Sequence, residues 1–304
     1  MRFLVTGATG FVGARLVRHL AEAGHEVAGT YIGNPPSEPC YLALEADLLD
    51  RRALVEAVER AAPDAVIHLA GLSHVGSSWD RIGDYFRVNV EGTRLVLSAA
   101  AGCRFVLASS AEIYGLVPDK DQPIAESTRY DPRNPYAMSK AAAELLALDE
   151  GAVVARSFNL IGPGQAEQFA LPSFARQLAE VESGEREPVL EVGNLEARRD
   201  FLHVDDAMEA YRLMATEGEP GEAYNLGLGE ARSIREMLDL LLAVSGVSAH
   251  PQMDPERFRP VDIPLTYADT TKLRQLGWRP QHDVEQALRD LWSSVRSARP
   301  SPDG

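Results

Sequence analysis

The chain is short of basic residues, short of cysteine, and without long apolar runs. Among its 304 residues, Lys and Arg number 30 against 45 Asp and Glu, a formal net charge of −15. A nucleic-acid partner needs a basic stripe to displace counterions, and an anionic membrane surface needs a polybasic patch, so neither class of partner is expected. Two cysteines, Cys40 and Cys103, are too few for a disulfide framework or a zinc cluster, and no metal is expected. No apolar run reaches the ~18 residues of a membrane span. Hydrophobic structure begins at Phe3 without a charged leader and apolar stretch, so the expectation is a cytoplasmic protein with no secretory signal. Lysine is scarcest of all. Lys120, Lys140 and Lys272 are the only three, so the place of each carries information.

What is present is ordinary for a folded chain: 45% hydrophobic and 25% charged residues. The length suits one large domain or two with a substantial core. Short apolar runs alternate with helical patterns through the first half. Strands are expected at 2–6, 26–30, 65–69, 104–108 and 152–155, with a further short apolar run before Asp47. Helices are expected at 11–23, 51–61, 84–101 and 135–150. Four- to six-residue apolar strands separated by helices are the pattern of βαβ units and a parallel sheet. The fold class is therefore α/β, a Rossmann-like doubly wound parallel sheet over 1–157. Beyond Gly162, prolines punctuate shorter elements, with helices expected at 168–183, 204–216, 233–245, 269–275 and 283–297. This is read as a smaller, mixed α/β substrate lobe over 158–304, with the chain crossing back between lobes. The tail from Ser297 is expected to be disordered.

Three motifs carry chemistry. Thr6-Gly7-Ala8-Thr9-Gly10-Phe11-Val12-Gly13 lies between a strand and a helix. Gly7 permits the tight turn, Gly10 lets a pyrophosphate approach the backbone, and Gly13 lets helix and strand pack closely. The phosphates then meet the positive end of the helix dipole. The carboxylate that holds the ribose of NAD belongs near the end of the second strand. That stretch reads Gly29-Thr30-Tyr31-Ile32-Gly33 and has none. Thr30 can donate to a 2′-phosphate there, but no Arg stands by to clamp it. NADP is favoured, and NAD stays open. Asp47 either accepts from the adenine amino group or is a solvated turn residue.

In Tyr136-Ala137-Met138-Ser139-Lys140, positions i and i+4 share a helical face. An ammonium there lowers a phenol's pKa, and such a tyrosine passes a proton to or from a carbinol oxygen. With nine Tyr and three Lys, chance supplies about 0.09 such pairs. Ala108-Ser109-Ser110-Ala111-Glu112 follows a strand, at the carboxyl edge where open α/β sheets bind ligands. Ser110 is placed to hold a reacting oxygen. Glu112 is either a general base or a polar rim residue. His74 is read as a loop residue with a local hydrogen-bonding role.

Together these motifs resemble the extended short-chain dehydrogenase/reductase family that acts on nucleotide sugars. The resemblance spans nearly the whole chain. It takes in His68-Leu69-Ala70-Gly71, Asn89, Pro132-Arg133-Asn134-Pro135-Tyr136 and Arg156 to Gln165. Gly193-Asn194-Leu195-Glu196-Ala197-Arg198-Arg199-Asp200-Phe201 and Arg257 to Pro264 are more specific. The Gly162-Pro163-Gly164-Gln165 and Gly193 to Phe201 runs carry a narrower resemblance, to the branch that reduces GDP-4-keto-6-deoxy-D-mannose to GDP-D-rhamnose with NAD(P)H.

By that resemblance, Tyr136 is the general acid, Lys140 binds the nicotinamide ribose and tunes Tyr136, and Ser110 orients the C-4 oxygen of the sugar. Gly7, Gly10, Phe11, Val12 and Gly13 hold the cofactor phosphates. Asp47 and Leu48 line the adenine site, while Leu69, Ala70 and Gly71 run past the cofactor. Asn159, Arg199 and Arg259 face the diphosphate of a nucleotide sugar, with a GDP-sugar favoured. For Arg199 the competing reading is a salt bridge to neighbouring Asp200. Where sugar 4,6-dehydratases carry Asp-Glu after the Ser/Thr, this chain has Ala111-Glu112, which weakens an eliminating mechanism and leaves Glu112 in place. A 4-epimerase or 4,6-dehydratase with the same Ser/Tyr/Lys set is the alternative. A non-catalytic NAD(P)-sensing protein is the alternative of another class. The family also implies a homodimer through the helices at 84–101 and 135–150.

Overall fold

The computed structural model describes residues 1–37, 40–258 and 262–298. Its centre is a seven-stranded, wholly parallel sheet. The strands are β1 (Arg2–Thr6), β2 (Glu26–Tyr31), β3 (Leu42–Glu45), β4 (Ala65–His68), β5 (Arg104–Ser110), β6 (Val153–Ser157) and β11 (Ala223–Leu226), in the spatial order β3-β2-β1-β4-β5-β6-β11. Strands buried on both faces read as unbroken apolar runs, and β4 and the body of β1 do so. The strand order reverses between β1 and β4, and such a switch point opens a crevice at the carboxyl edge.

Helices cover both faces. On one side α1 (Phe11–Glu22) and α8 (Val204–Glu217) pack over Phe3, Val5, Ile67 and Val106. On the other, α2 (Arg51–Ala61), α5 (Gly92–Ala99) and α6 (Pro135–Asp149) pack over Leu4, Val66 and Leu107. Helix starts follow from local chemistry. The Asp50 carboxylate accepts from Arg52 N and Ala53 N ahead of α2, and Asn134 accepts from Ala137 N with Pro135 opening α6. Two elements from the second half of the sequence, α8 and β11, complete the first core and the sheet edge.

A separate core gathers α7 (Ala170–Glu182), α9 (Ile234–Ser245) and α11 (Val284–Ser297) with β8 (Val189–Val192). A parallel pair of β8 with β13 (His250–Met253) and a small sheet of β12 (Arg232–Ser233), β9 (Arg198–Arg199) and β14 (Leu265–Thr266) lie on this side. So does the pair of β7 (Asn159–Ile161) with β10 (Phe201–His203). The tail beyond 298 lies outside the described residues.

One expected helix is corrected. The run 84–101 is not continuous: Ile82–Tyr85 is a short α turn, Phe86–Glu91 is a π turn, and the α-helix resumes only at Gly92. A π turn inserts one extra residue into the helical ladder. Here it carries Asn89, whose Oδ1 accepts from Leu72 N and whose Nδ2 donates to Leu72 O and Ser139 Oγ. A hydrophobic period cannot register such a shift. Among the described residues, no helix is long and apolar enough to cross a membrane, and no group of three or more His, Cys, Asp or Glu is placed to hold a metal ion.

Candidate active site

The turn from β1 into α1 is shaped for a phosphate. Gly7 has φ +71°, and a Cβ there would sit 3.0 Å from Ala70 Cα. At Gly13 a Cβ would stand 2.0 Å from the Gly7 carbonyl oxygen, so only glycine lets α1 approach the turn this closely. Gly10 caps α1 without a side-chain hydrogen bond, and no acid occupies the first turn with Phe11 and Val12. First-turn N–H groups are thus left to whatever anion arrives. Thr6 Oγ accepts from both Leu69 N and Ala70 N at 3.2 Å and lies 2.7 Å from His68 Nδ1, tying the turn after β1 to the one after β4. His68 is buried with its pKa pushed down to about 3, so the imidazole is neutral. Gly71 backs directly onto Asn89, where a Cβ would meet its Oδ1 at 2.8 Å. These features fit a dinucleotide.

Further out, Thr30 is buried at the end of β2, and its carbonyl accepts from Ala8 N at 2.9 Å. It sits inside the strand edge and not on an open face. Asp47 is exposed, and its Oδ1 accepts from Leu49 N at 2.9 Å. The turn reading of Asp47 is therefore present in the structure. Leu48 is buried against Gly92.

Ser110 ends β5 and Tyr136 and Lys140 lie on α6, which packs on that strand. The Ser110 side chain neighbours the Tyr136 phenol closely enough to act on its titration. Lys140 Nζ donates to the Ala108 carbonyl at 2.5 Å. The expectation that the ammonium lowers the phenol's pKa is not met. Burial raises the Tyr136 phenol above its ordinary value, the Ser110 side chain opposes this, and the Glu112 charge adds to it. Lost hydration outweighs an ammonium aimed at the Ala108 carbonyl. Lys140 is itself pushed down to about 8 by burial, with Glu144 pulling the other way. Glu112 Oε2 accepts from Asn134 Nδ2 at 2.9 Å, so this carboxylate is held beside the N-terminus of α6.

A cleft of about 580 Å³ opens alongside, lined in part by His74, Asn159, Phe169, Asn194, Arg199 and Asp262. Arg199 is buried on β9, and its guanidinium donates to Asp262 Oδ1 at 2.8 Å; Asn194 Nδ2 donates to Asp262 Oδ2 at 2.5 Å. The ion-pair reading of Arg199 thus has a partner, but it is Asp262 and not Asp200. Asp200 turns inward, where its carboxylate accepts from Leu228 N, Gly229 N and Ala268 N, and burial pushes its pKa up to about 6. Asn159 is exposed to the cleft. Arg259 lies outside the described residues.

Ser110 and Tyr136 do not line this cleft. The link runs through Tyr85, whose ring meets that of Tyr136 edge-on at 6.3 Å and whose hydroxyl donates to the His74 carbonyl at 2.5 Å. His74 has the local role expected of it, accepting from Ser77 N, and it also edges the cleft.

Sequence reasoning missed Phe169 and Ser173 of the cleft, and it missed the buried pair of Glu144, on the helix of Tyr136 and Lys140, with Arg156. A signal existed for the latter: Glu144 is the only charge between Lys140 and Asp149 in an Ala/Leu run.

Residues 4–291 match the family model for GDP-mannose 4,6 dehydratase. The chain is 36% identical to a GDP-6-deoxy-D-mannose reductase of Pseudomonas aeruginosa, over 97% of each protein. A solved Pseudomonas aeruginosa structure, RMD complexed with NADPH, superposes with a TM-score of 0.87 at 35% identity, covering 98% of this chain and 99% of that one. A UDP-glucose 4-epimerase of Thermus thermophilus in complex with NAD also gives 0.87, at 28% identity, over 98% of this chain and all of the other.

Proposed function

The chain belongs to the GDP-mannose 4,6-dehydratase family of extended short-chain dehydrogenases/reductases, and from that membership we propose that it reduces the C-4 ketone of a nucleotide 4-keto-6-deoxyhexose, with GDP-4-keto-6-deoxy-D-mannose as substrate and GDP-D-rhamnose as product. One observation carries the reading: the buried Tyr136 phenol neighbours Ser110, one helical turn from Lys140, at the carboxyl edge of the sheet. NADPH, when bound, supplies the hydride. Residues 1–157, joined by the returning 204–226, hold the cofactor; the rest of 158–304 holds the nucleotide sugar.

In this scheme Gly7, Gly10, Phe11, Val12 and Gly13 present backbone amides to the pyrophosphate. Leu48 shapes the adenine end, and Leu69, Ala70 and Gly71 border the cofactor's path. Lys140 holds the nicotinamide ribose. Ser110 fixes the sugar C-4 oxygen, and Tyr136 gives its proton to the alkoxide as it forms. A phenol of raised pKa is retained as the acid until negative charge develops on its acceptor, where it is most useful. Arg199 swings from Asp262 onto the diphosphate, since a guanidinium pairs with phosphate through two parallel hydrogen bonds. In a chain of net charge −15, such local cations offset the field that a polyanionic substrate meets.

The dehydratase or 4-epimerase alternative draws on Glu112, whose charge reaches Tyr136. The separating experiment supplies GDP-mannose alone, and then the keto sugar with NADPH or NADH, with product identification. Stoichiometric consumption of reduced nicotinamide with the keto sugar supports the reductase. Conversion of GDP-mannose without added reductant overturns it. A chain that binds cofactor but shows no ketone-dependent oxidation is the sensing protein.

The active unit we propose is a homodimer. Phe86, Met138, Leu145 and Leu146 are large, apolar and exposed along the π turn and α6, which pack side by side. A second copy of the same stripe would cover them.

A further inference from the structure

Behind the reacting side chains lies an ion pair that the chemistry above does not use. Arg156 on β6 and Glu144 on α6 are both buried. Arg156 Nε donates to Glu144 Oε1 at 2.7 Å; its other nitrogens donate to the Tyr114 hydroxyl, the Glu126 carbonyl and the Tyr130 hydroxyl at 2.7–2.8 Å. Glu144 also accepts from Tyr130 at 2.7 Å and from the Ser109 hydroxyl. Every hydrogen-bonding arm of the pair is therefore engaged, which is the condition for holding charges in a low-dielectric interior.

The placement of the carboxylate is specific. On α6, Tyr136, Lys140 and Glu144 stand at i, i+4 and i+8, on one face. Across from them, Ser109 is the residue before Ser110 on β5. One carboxylate thus fastens the helix that carries the proton donor to the strand end that carries its partner. Resting on the reductase reading, we propose that Glu144, fixed in place by Arg156, is a positioning residue that sets the approach of Tyr136 to Ser110 and sets a buried carboxylate one helical turn from Lys140.

Other titratable groups packed around this face do not substitute for it. His68, at the end of β4, is neutral, and Tyr85, Tyr114 and Tyr130 are phenols. Glu112, across from α6 on the turn after β5, is felt at Tyr136 and is hydrogen-bonded by Asn134. On the outward side, Glu91 with Arg94 and Asp84 with Arg81 form exposed pairs. Of all these, Glu144 alone raises Lys140 against burial.

The scarcity of lysine makes the test direct. With ¹³C,¹⁵N-labelled lysine, NMR titration of the cofactor-free protein follows three signals, and Lys140 is assigned by its loss in Lys140→Arg. Glu144→Gln preserves shape and removes charge. The Lys140 midpoint is expected to fall by about one pH unit or more, a tenfold change in its protonation ratio, with Lys120 and Lys272 unmoved. The alkaline limb of kcat/KM should fall with it, and Glu144→Asp should restore both. A folded Glu144→Gln protein with the Lys140 midpoint unmoved overturns the electrostatic role.

If the uncompensated Arg156 unfolds that variant, Glu144→Gln/Arg156→Met removes both charges, and a smaller fall in the same direction is expected, an unmoved or raised midpoint overturning the electrostatic role. Ser109→Ala leaves the ion pair whole. It should lower kcat about tenfold at unchanged KM for NADPH, and an unchanged kcat overturns the clamp. The NMR readout needs no turnover. A wild-type chain inactive on the keto sugar would therefore refute the reductase while leaving the Lys140 measurement to judge the charge.

Discussion

For single residues, the chemistry we propose depends on one phenol and one ammonium held in a dry place. Tyr136→Phe removes the proton and keeps the ring, so turnover should fall by about 10²–10⁴ while cofactor affinity stays within about twofold. Stopped assays of ketone-dependent NADPH oxidation, beside fluorescence titration of the cofactor, check both halves. Lys140 predicts the pH dependence. Burial brings it down to about 8, and in the proposed scheme the ribose contact needs the cation. The sign follows: activity is full below that value and is lost as pH rises through it. The kcat/KM profile of the free enzyme should therefore have an alkaline limb near there, and a profile flat into the alkaline range would remove Lys140 from the titrating set. The residue scale is also where the sequence reading was least complete. That Tyr136 and Lys140 share a face was legible from their spacing. That desolvation would outweigh the ammonium at the phenol was not, because burial depends on Tyr85, Tyr211 and β5, which are remote in the chain.

At the scale of elements, two predictions concern backbone approach and diphosphate capture. Gly13→Ala places a methyl where the Gly7 carbonyl already stands. The helix must retreat, at a cost of roughly 1–3 kcal/mol, and its first-turn amides retreat from the phosphates with it. Thermal denaturation should show the loss of stability, and cofactor titration should show at least a tenfold weaker Kd. Arg199→Ala leaves Asp262 without its cation and the diphosphate without a bidentate partner. KM for the nucleotide sugar should rise about 30-fold, near 2 kcal/mol, with NADPH binding unchanged. If KM for the sugar is unmoved, Arg199 serves only its ion pair. Most elements were readable from their apolar period, as α2 shows, with the same bounds in sequence and structure. The π turn at Phe86–Glu91 was not, since it answers to a contact between Asn89 and Leu72 rather than to any local preference.

At the scale of the whole molecule, the exposed apolar stripe makes a claim about assembly. Leu145→Lys puts a charge into a face that a second copy would cover. The expected outcome is a halved hydrodynamic mass with an unchanged far-ultraviolet spectrum, and a wild-type chain that already sediments as a monomer would refute the dimer.

Spacing within a few residues made legible the alternation of strand and helix, the glycine turn at Gly7–Gly13 and the shared helical face of Tyr136 and Lys140. That α8 and β11 return to finish the first core, that Arg199 faces Asp262 and that Glu144 on α6 meets Arg156 on β6 came only with the folded chain. Those outcomes depend on which distant surfaces bury each other, and free energy of burial belongs to the assembled fold rather than to any stretch of chain.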